Sequence, residues 1–277
     1  LPEQLDAFRR AGTLSAAAEY LHLAQPSLSL SMQKLEDELG VPLFDRHKNR
    51  LELNDTGMLA SEYAARILDS ENEMERHIRS YDRSLHTLTI GSCAPGPLMK
   101  LLPQATGTFS DMTISSAIEP EDLLLQKLRD SEYQLAVLPF PADPDEFYCR
   151  RYITEQLYLS VNNFHPAASY HSIKFRQMDG QNFIMYAQVG IWETVVRSKM
   201  PHARFLKQED LDAVSEITGR SDLPSFSSSI TLQELPQRKN GHINIPFSDK
   251  EASITFYIAC AKRAPQNILH FLKDAGA

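Results

Sequence analysis

The stretch LDAFRRAGTLSAAAEYLHLAQPSLSLSMQKLEDELGVPLFDRHKNRLELNDTG, residues 5–57, decides how the N-terminal part of the chain folds. Gly12 is typical of a residue that ends a helix, and Thr13 is a good N-cap for the next one. Pro26 favours the first turn of a third helix, because its missing N–H costs nothing there. The face of that helix that we predict to be buried carries Leu28, Met32, Leu35 and Leu39. The pattern predicts three short helices followed by a small hairpin.

A long helix is predicted next, from about residue 56 to residue 85, because Asn54, Asp55 and Thr56 offer caps for its start. Its apolar residues follow a 4-3-4-3 spacing that is broken only at Glu71. This spacing is typical of a coiled-coil seam between two chains. We assign to that dimer interface Ala64, Ile67, Met74, Ile78 and Tyr81. The alternative is an amphipathic helix that packs on its own domain.

From Leu88 onwards the hydrophobic period changes, and short strands alternate with helices. Such alternation predicts parallel sheets with crossover helices. The pattern is interrupted near residue 160 and then resumes, so we predict two α/β lobes. Lobe I comprises residues 86–160 and 252–277, and lobe II comprises residues 161–251.

At the level of residues, the N-terminal stretch resembles the LysR-type transcriptional regulators. The matching motifs are Ala16-Ala17-Ala18 with Leu21, the run from Ala24 to Ser29, Leu35-Glu36, Leu39-Gly40, Leu43-Phe44-x-Arg46 and Thr56-Gly57. The resemblance implies a multidomain α+β and α/β protein. Its parts are a winged helix-turn-helix domain (1–55), a linker and dimerisation helix (56–85) and a periplasmic-binding-protein-like pair of lobes (86–277). It also implies double-stranded DNA, a small-molecule effector and RNA polymerase as partners, and a homodimer or tetramer.

The recognition helix and the wing carry the candidate DNA contacts. On the helix these are Gln25, Pro26, Ser27, Ser29, Leu30, Gln33 and Lys34, and on the wing they are Arg46, Lys48 and Arg50. A glutamine amide pairs with adenine in the major groove, and serine reaches phosphates or base edges. The cations favour the phosphate backbone or a narrow minor groove. Two other interpretations stay open: Gln25 as a helix cap, and the serines and the basic run as ordinary solvated surface.

Two departures from the family pattern and the local charge bear on DNA affinity. Leu30 stands where the family often has a basic residue, and Asn54 stands where the linker usually begins with threonine. Residues 1–85 contain 10 Lys and Arg against 15 Asp and Glu, a net charge of −5. We therefore expect fewer phosphate contacts, and weaker non-specific binding, than in a typical member.

The effector is expected in the cleft between the lobes, beyond the carboxyl ends of the strands. Two loops there lead into helices, and a third loop is rich in serine. The candidate contacts are Ser92, Cys93, Ala94, Pro95, Tyr186, Gln188, Ser227 and Ser228. Because helix N-termini attract negative charge, a small organic anion is the expected effector. The alternative is that these are ordinary loops between strands and helices.

The composition excludes several other functions. The 277 residues include 28 Lys and Arg against 36 Asp and Glu, and the net charge of −8 argues against a general nucleic-acid binder. No apolar run of about 18 residues and no signal peptide are found, so we expect a cytoplasmic protein without a membrane partner. Three scattered cysteines predict neither a metal nor another cofactor. Without an HExxH or GxSxG motif we expect no enzyme. A redox switch at Cys93, or catalysis on the lobes, is kept as an alternative.

Overall fold

The structure is a computed structural model that describes residues 1–47, 50–234 and 241–275. Its contacts divide the chain into an N-terminal unit, Leu1–Arg79, and a C-terminal unit, Ser80–Ala277. The division falls inside the long helix, six residues before the predicted boundary at residue 85. Each unit has its own hydrophobic core.

The N-terminal unit consists of short helices and a two-stranded hairpin. Its elements are α1 (Pro2–Ala11), α2 (Leu14–Tyr20), α3 (Gln25–Leu39), β1 (Phe44–His47), β2 (Arg50–Leu53) and α4 (Asp55–Ser84), which continues into the second unit. Gly12 ends α1 with a φ of 72°, a left-handed conformation that favours glycine. The Oγ1 of Thr13 then accepts a hydrogen bond from the Ala16 N–H, at 3.3 Å, and caps α2.

The core of this unit lies between the three short helices, the hairpin and the start of α4. It contains Leu5, Ala7, Phe8, Ala17, Ala18, Leu28, Met32, Leu43, Phe44 and Ala64. The rings of Phe8 and Phe44 meet edge to face, with centroids 5.3 Å apart. Leu39, predicted to be buried, is exposed, because α3 extends beyond the core. Ala64 was predicted to lie in the dimer seam, and this is wrong: the early turns of α4 bury it in this core, at 4% exposure.

The C-terminal unit alternates strands and helices. Its first part comprises β3 (Thr87–Ser92), α5 (Pro95–Thr108), β4 (Thr113–Ile118), α6 (Glu121–Arg129), β5 (Leu135–Leu138) and β6 (Phe147–Asn162). Its second part comprises α7 (Phe175–Met178), β7 (Asn182–Tyr186), α8 (Ile191–Lys199), β8 (Arg204–Gln208), α9 (Leu211–Arg220), β9 (Ser225–Ser228), α10 (Thr231–Glu234) and β10 (His242–Pro246). The chain then returns through β11 (Ser253–Ala261) and α11 (Gln266–Asp274).

One long strand, β6, belongs to both lobes. The sheet order is β10-β6-β11-β5-β3-β4, in which β3, β4 and β5 run parallel and β11 is antiparallel to both β5 and β6. The first part of β6 pairs with β11 as far as Gln156, opposite Ser253. From Leu157 onwards it pairs with β9 and β10 of lobe II. The structure thus confirms the predicted pair of α/β lobes and adds a continuous strand that runs through both.

Gly57 has no room for a side chain, which generates the first prediction. A Cβ at this position in the first turn of α4 would collide with the carbonyl oxygen of Leu43. We expect Gly57→Ala to lower the free energy of unfolding by roughly 1–3 kcal/mol, the usual cost of overpacking. Urea unfolding followed by far-UV circular dichroism measures it.

Gly107→Ala is the matched control, because a Cβ at Gly107, near the end of α5, meets no atom within 4 Å. This variant should be as stable as the wild type or slightly more so, since alanine favours a helix more than glycine does. Equal stability of the Gly57→Ala variant and the wild type would show that Leu43 moves aside at no cost.

Candidate functional site

The outer face of α3 is polar and open. All seven of its predicted DNA contacts are exposed, whereas Leu28 and Met32 of the same helix are buried. The N-cap of α3 is Ala24, so the alternative role of Gln25 as a cap is wrong. The Gln25 side chain instead accepts a hydrogen bond from the Ser15 hydroxyl on α2, at 3.1 Å. This bond orients the amide at the start of the helix.

Glu36 of α3 holds the hairpin beside the helix. Its Oε1 accepts hydrogen bonds from the backbone N–H groups of Leu43, at 2.7 Å, and Phe44, at 3.1 Å. Its Oε2 accepts one from Arg46 Nη2 at 2.9 Å. Burial by itself raises the pKa of Glu36, but these hydrogen bonds outweigh it and hold the pKa below its ordinary value. The sequence analysis missed this residue; its signal was an acidic side chain one helix turn before Gly40, preceding the wing.

The wing residues are described only in part. Arg46 lies on β1, with a side chain 59% exposed, and pairs with Glu36. Arg50 lies on β2, where its backbone pairs with that of His47. Lys48 lies outside the described residues. Because the Arg46 side chain is open to solvent, its pairing with Glu36 contributes little stability, and the guanidinium is able to exchange Glu36 for another anion.

The later turns of α4 carry an apolar stripe that is open to solvent. Ile67, Met74, Ile78 and Tyr81 are each between 54% and 66% exposed. They recur at i, i+7, i+11 and i+14, which places them along one side of the helix. Exposed apolar residues along one side of a helix, here interrupted at Glu71, often mark a contact with another molecule.

A cavity of about 270 Å³ lies between the two lobes. Lobe I contributes the end of β4 and the start of α6, and lobe II contributes the loop after β7 and the start of α8. The lining residues are Ile118, Glu119, Pro120, Glu121, Ala187, Gln188, Gly190, Ile191, Glu193 and Thr194. Of the predicted effector contacts only Gln188 lines this cavity. Residues 118–121 were missed, although they also follow the carboxyl end of a parallel strand, where ligands of such sheets bind.

The other predicted effector contacts lie away from the cavity. Ser92, Cys93 and Ala94 are 0%, 1% and 0% exposed, so the prediction that they contact an effector is wrong in this arrangement of the lobes. The physical reason is that lobe II covers this loop: the Ile191 N–H donates to the Cys93 carbonyl oxygen at 2.8 Å. Pro95 and Tyr186 are half-buried.

The predicted serines belong to β9 and also lie outside the cavity lining. The Ser227 hydroxyl donates to Asn244 Oδ1 at 2.8 Å. Ser228 is buried, and its hydroxyl and amide bond to Thr231.

A buried acid from β6 lies against the start of α5. Glu155, on β6, is 1% exposed, and its Oε2 accepts a hydrogen bond from Trp192 Nε1 at 2.9 Å. Its Oε1 lies so close to Gly96 that a Cβ there would collide with it. Burial raises the pKa of Glu155, and the nearby polar side chains of Ser228 and Trp192 act in the opposite direction. The sequence analysis missed Glu155; its signal was an acidic residue entering a strand that becomes apolar.

Cys93 has no features of a reactive thiol. Burial, followed by the nearby charges of Glu121 and Glu155, raises the pKa of the Cys93 thiol well above its ordinary value. The nucleophilic form of cysteine is the thiolate, which such surroundings disfavour. Cys93, Cys149 and Cys260 are all free thiols. The geometry therefore gives no support to Cys93 as a redox switch.

In the part of the chain that the structure describes, no group of three His, Cys, Asp or Glu residues is arranged to hold a metal ion. Nor does this part contain a helix that is both long enough and apolar enough to cross a membrane.

Family models match both units. Residues 3–58 match the model described as bacterial regulatory helix-turn-helix protein, lysR family. Residues 82–272 match the model described as LysR substrate binding domain. Together they cover most of the chain.

Among curated relatives, the Hca operon transcriptional activator HcaR of Escherichia coli (strain K12) is 30% identical over 182 residues, which cover 64% of this chain and 61% of the relative. The hydrogen peroxide-inducible genes activator of Haemophilus influenzae is 25% identical over 173 residues, which cover 61% and 58%. The chain thus spans less than two thirds of the length of these relatives.

Solved structures of similar fold extend over nearly the whole chain. A full-length OxyR from Pseudomonas aeruginosa has a TM-score of 0.56 at 20% identity, covering 100% of this chain and 99% of its own. Full-length BenM has a TM-score of 0.52 at 17% identity, covering 99% and 93%. At these identities the likeness concerns the fold alone.

Proposed function

The chain belongs to the LysR family of bacterial regulatory helix-turn-helix proteins, and on that basis we propose that it is a sequence-specific DNA-binding transcriptional regulator controlled by a small organic effector. The observation that carries the proposal is the exposed polar face of α3, from Gln25 to Lys34, on a helix whose other face is buried. We assign the chain no catalytic reaction. Its place of action is the cytoplasm, with RNA polymerase as the further protein partner.

Base recognition is assigned to the start of α3. The major groove of B-DNA admits one helix and presents a different pattern of donors and acceptors for each base pair. Gln25 and Ser29 are both exposed there, and Pro26 offers an apolar surface to a thymine methyl. Ser27, Leu30, Gln33 and Lys34 flank them. Arg46, Lys48 and Arg50 are proposed to contact the phosphate backbone, which positions the helix without reading sequence.

The DNA-binding proposal predicts a selective loss of affinity. Genomic fragments retained by the full chain first supply a preferred site. For that site, Gln25→Ala should weaken binding by about tenfold or more, because a bidentate amide–adenine pair contributes roughly 1–3 kcal/mol. Ser29→Ala should act in the same direction. Affinity for unrelated DNA should stay nearly unchanged, and gel shifts at one fixed salt concentration measure both.

Gln126→Ala and Ser198→Ala serve as controls, since both residues are exposed on helices of the C-terminal unit. They should bind the preferred site as the wild type does. Failure to retain any preferred fragment, or equal losses in control and test variants, would contradict the proposal.

We propose that Ile67, Met74, Ile78 and Tyr81 pair two chains along α4. The support is the exposed apolar stripe, because burying a large apolar side chain contributes roughly 1.5–3 kcal/mol and two chains together bury every residue of the stripe. Glu71 interrupts the apolar pattern, between Ile67 and Met74. Contacts between lobes of different chains would then build a tetramer from two such dimers.

The seam predicts the assembly state of a double variant. Ile67→Asp with Ile78→Asp should yield monomers in sedimentation velocity, because each charge forfeits the burial of an isoleucine. The control is Asn72→Asp with Arg76→Gln, which changes the net charge by the same amount on the opposite side of α4. It should leave the assembly intact. Dimers that persist in the isoleucine double variant would contradict the seam.

The effector is assigned to the cavity between the lobes. Gln188 offers an amide, Thr194 offers a hydroxyl, and Ile118 and Ile191 offer apolar surface. A ligand that contacts both lobes favours one arrangement of them over another, which is the requirement for control by an effector. The sequence favoured an anionic effector, yet no basic residue is found among the described residues that line the cavity.

Filling the cavity should abolish the response to the effector. Small carboxylates, amines and uncharged polar compounds are screened by thermal shift against the wild type. The stabilisation by any genuine ligand should disappear in Thr194→Trp, whose indole occupies the cavity. It should persist in Thr108→Trp, an exposed position at the end of α5. A ligand that stabilises both variants equally binds elsewhere and would refute this assignment.

A further inference from the structure

Glu155 lies where the two lobes meet along β6. On one side of it, β6 pairs with β11, and Glu155 itself is opposite Ile254. On the other side, from Leu157, β6 pairs with β9 of lobe II. The side chain is 1% exposed, which is rare for a glutamate. A buried carboxylate at the point where β6 passes from one lobe to the other therefore indicates a specific role for Glu155.

The carboxylate of Glu155 contacts both lobes at once. From lobe I, the start of α5 approaches it at Gly96, where even a Cβ would not fit. From lobe II, the indole N–H of Trp192 donates to it at 2.9 Å. Among the ion pairs formed by the described residues, none involves Glu155. The groups around this carboxylate are thus a neutral donor, the Trp192 indole, and the start of α5, where the helix dipole favours negative charge.

The start of α5 has little capacity for a second anion. Pro95 and Pro97 carry no N–H, so within the first three positions of the helix only Gly96 supplies an amide hydrogen. Glu155 already lies against that residue. The start of α8 is also engaged, because the Ile191 N–H donates to the Cys93 carbonyl oxygen. Both helix ends from which the sequence predicted an anionic effector are thus taken by groups of the protein itself.

The cavity lining is acidic and, like the two helix ends, is unfavourable for a second anion. It includes the carboxylates of Glu119, Glu121 and Glu193 and no described basic residue. The neighbouring Lys127 and Lys207 are each committed to an acid, Lys127 to Glu119 at 2.7 Å and Lys207 to Glu193 at 2.6 Å. An incoming carboxylate would therefore meet like charges without a free cation.

We infer that Glu155 is the resident anion of the cleft: its carboxylate fills the start of α5, joins the two lobes through Gly96 and Trp192, and restricts the effector to uncharged or cationic molecules. The last part rests on the proposed function, because it presupposes an effector in the cavity. Glu155 is in these terms a positioning and specificity-determining residue.

Trp192 gives the test a built-in reporter, because it is the sole tryptophan of the chain. In Glu155→Ala the indole loses its acceptor and the start of α5 loses its anion. The emission of Trp192 should shift, and sodium formate should restore it in a saturable manner, because formate supplies a carboxylate of the right size. Sodium chloride at equal ionic strength and uncharged formamide should not restore it. The wild type and Asp122→Ala, which removes an exposed acid of α6 outside the cavity lining, should not respond to formate.

If formate changes the Trp192 emission of Glu155→Ala no more than chloride or formamide does, the inference is overturned. If Glu155→Ala does not fold, Glu155→Gln carries the test, since it keeps the shape and removes the charge. Its Trp192 emission must differ from that of the wild type at pH 8, and an identical emission would refute the role of the charge.

The charge of the effector tests the specificity. In the thermal-shift screen, compounds whose effect is lost in Thr194→Trp should be uncharged or amines, and a carboxylate among them would overturn that part. The two levels of failure are distinguishable. Lack of formate rescue with a ligand still bound in the cavity removes the role of Glu155 and leaves the proposed function. Formate rescue without any ligand whose effect is lost in Thr194→Trp keeps the role of Glu155 and contradicts the proposed effector site.

Discussion

The shared strand β6 is the constraint on which the C-terminal unit depends. Its sixteen residues pair first with β11 and then with β9 and β10, so the backbone hydrogen bonds of both lobes run through one continuous strand. A strand interior cannot shift its register by one residue without turning every side chain to the other face. The position of Glu155 is therefore fixed by the sheet, and the groups that meet it, Gly96 and Trp192, are brought there by the two lobes independently.

A buried carboxylate is costly unless donors surround it, and this requirement links the lobes chemically as well as covalently. Opening the cleft far enough to part Trp192 from Glu155 would leave a charge without one of its donors. An effector in the neighbouring cavity acts on the same surfaces, because Gly190 and Ile191 line that cavity and precede Trp192. A small ligand and an internal acid therefore bear on the same arrangement of lobes, which is how a local contact changes a larger structure.

In the N-terminal unit the division between buried and exposed residues of α3 serves recognition. Leu28 and Met32 fix the helix against its core, and this leaves Gln25 and Ser29 at the surface without a structural task for their side chains beyond the bond from Ser15. Glu36 adds a second fixed point, because one carboxylate joins the backbone of the wing to the helix. The spacing between helix and wing is thus set by a few short contacts.

The sequence by itself determined the order of elements, the three short helices with their glycine ends, the seam spacing of α4 and the two-lobe architecture, because caps, prolines and hydrophobic periods act over a few neighbouring residues. Local patterns also predicted correctly which face of α3 is exposed. Only the tertiary structure decided which of these residues are buried and which groups cover them. Ala64 has the spacing of the seam but lies in a core, and Ser92 to Ala94 have the composition of a binding loop but are covered by lobe II. Glu155 meets Gly96 and Trp192 across 59 and 37 positions of sequence, and no local period encodes such a meeting. The charge of a cleft depends on which distant side chains converge in it, and that convergence is a property of packing rather than of neighbouring residues.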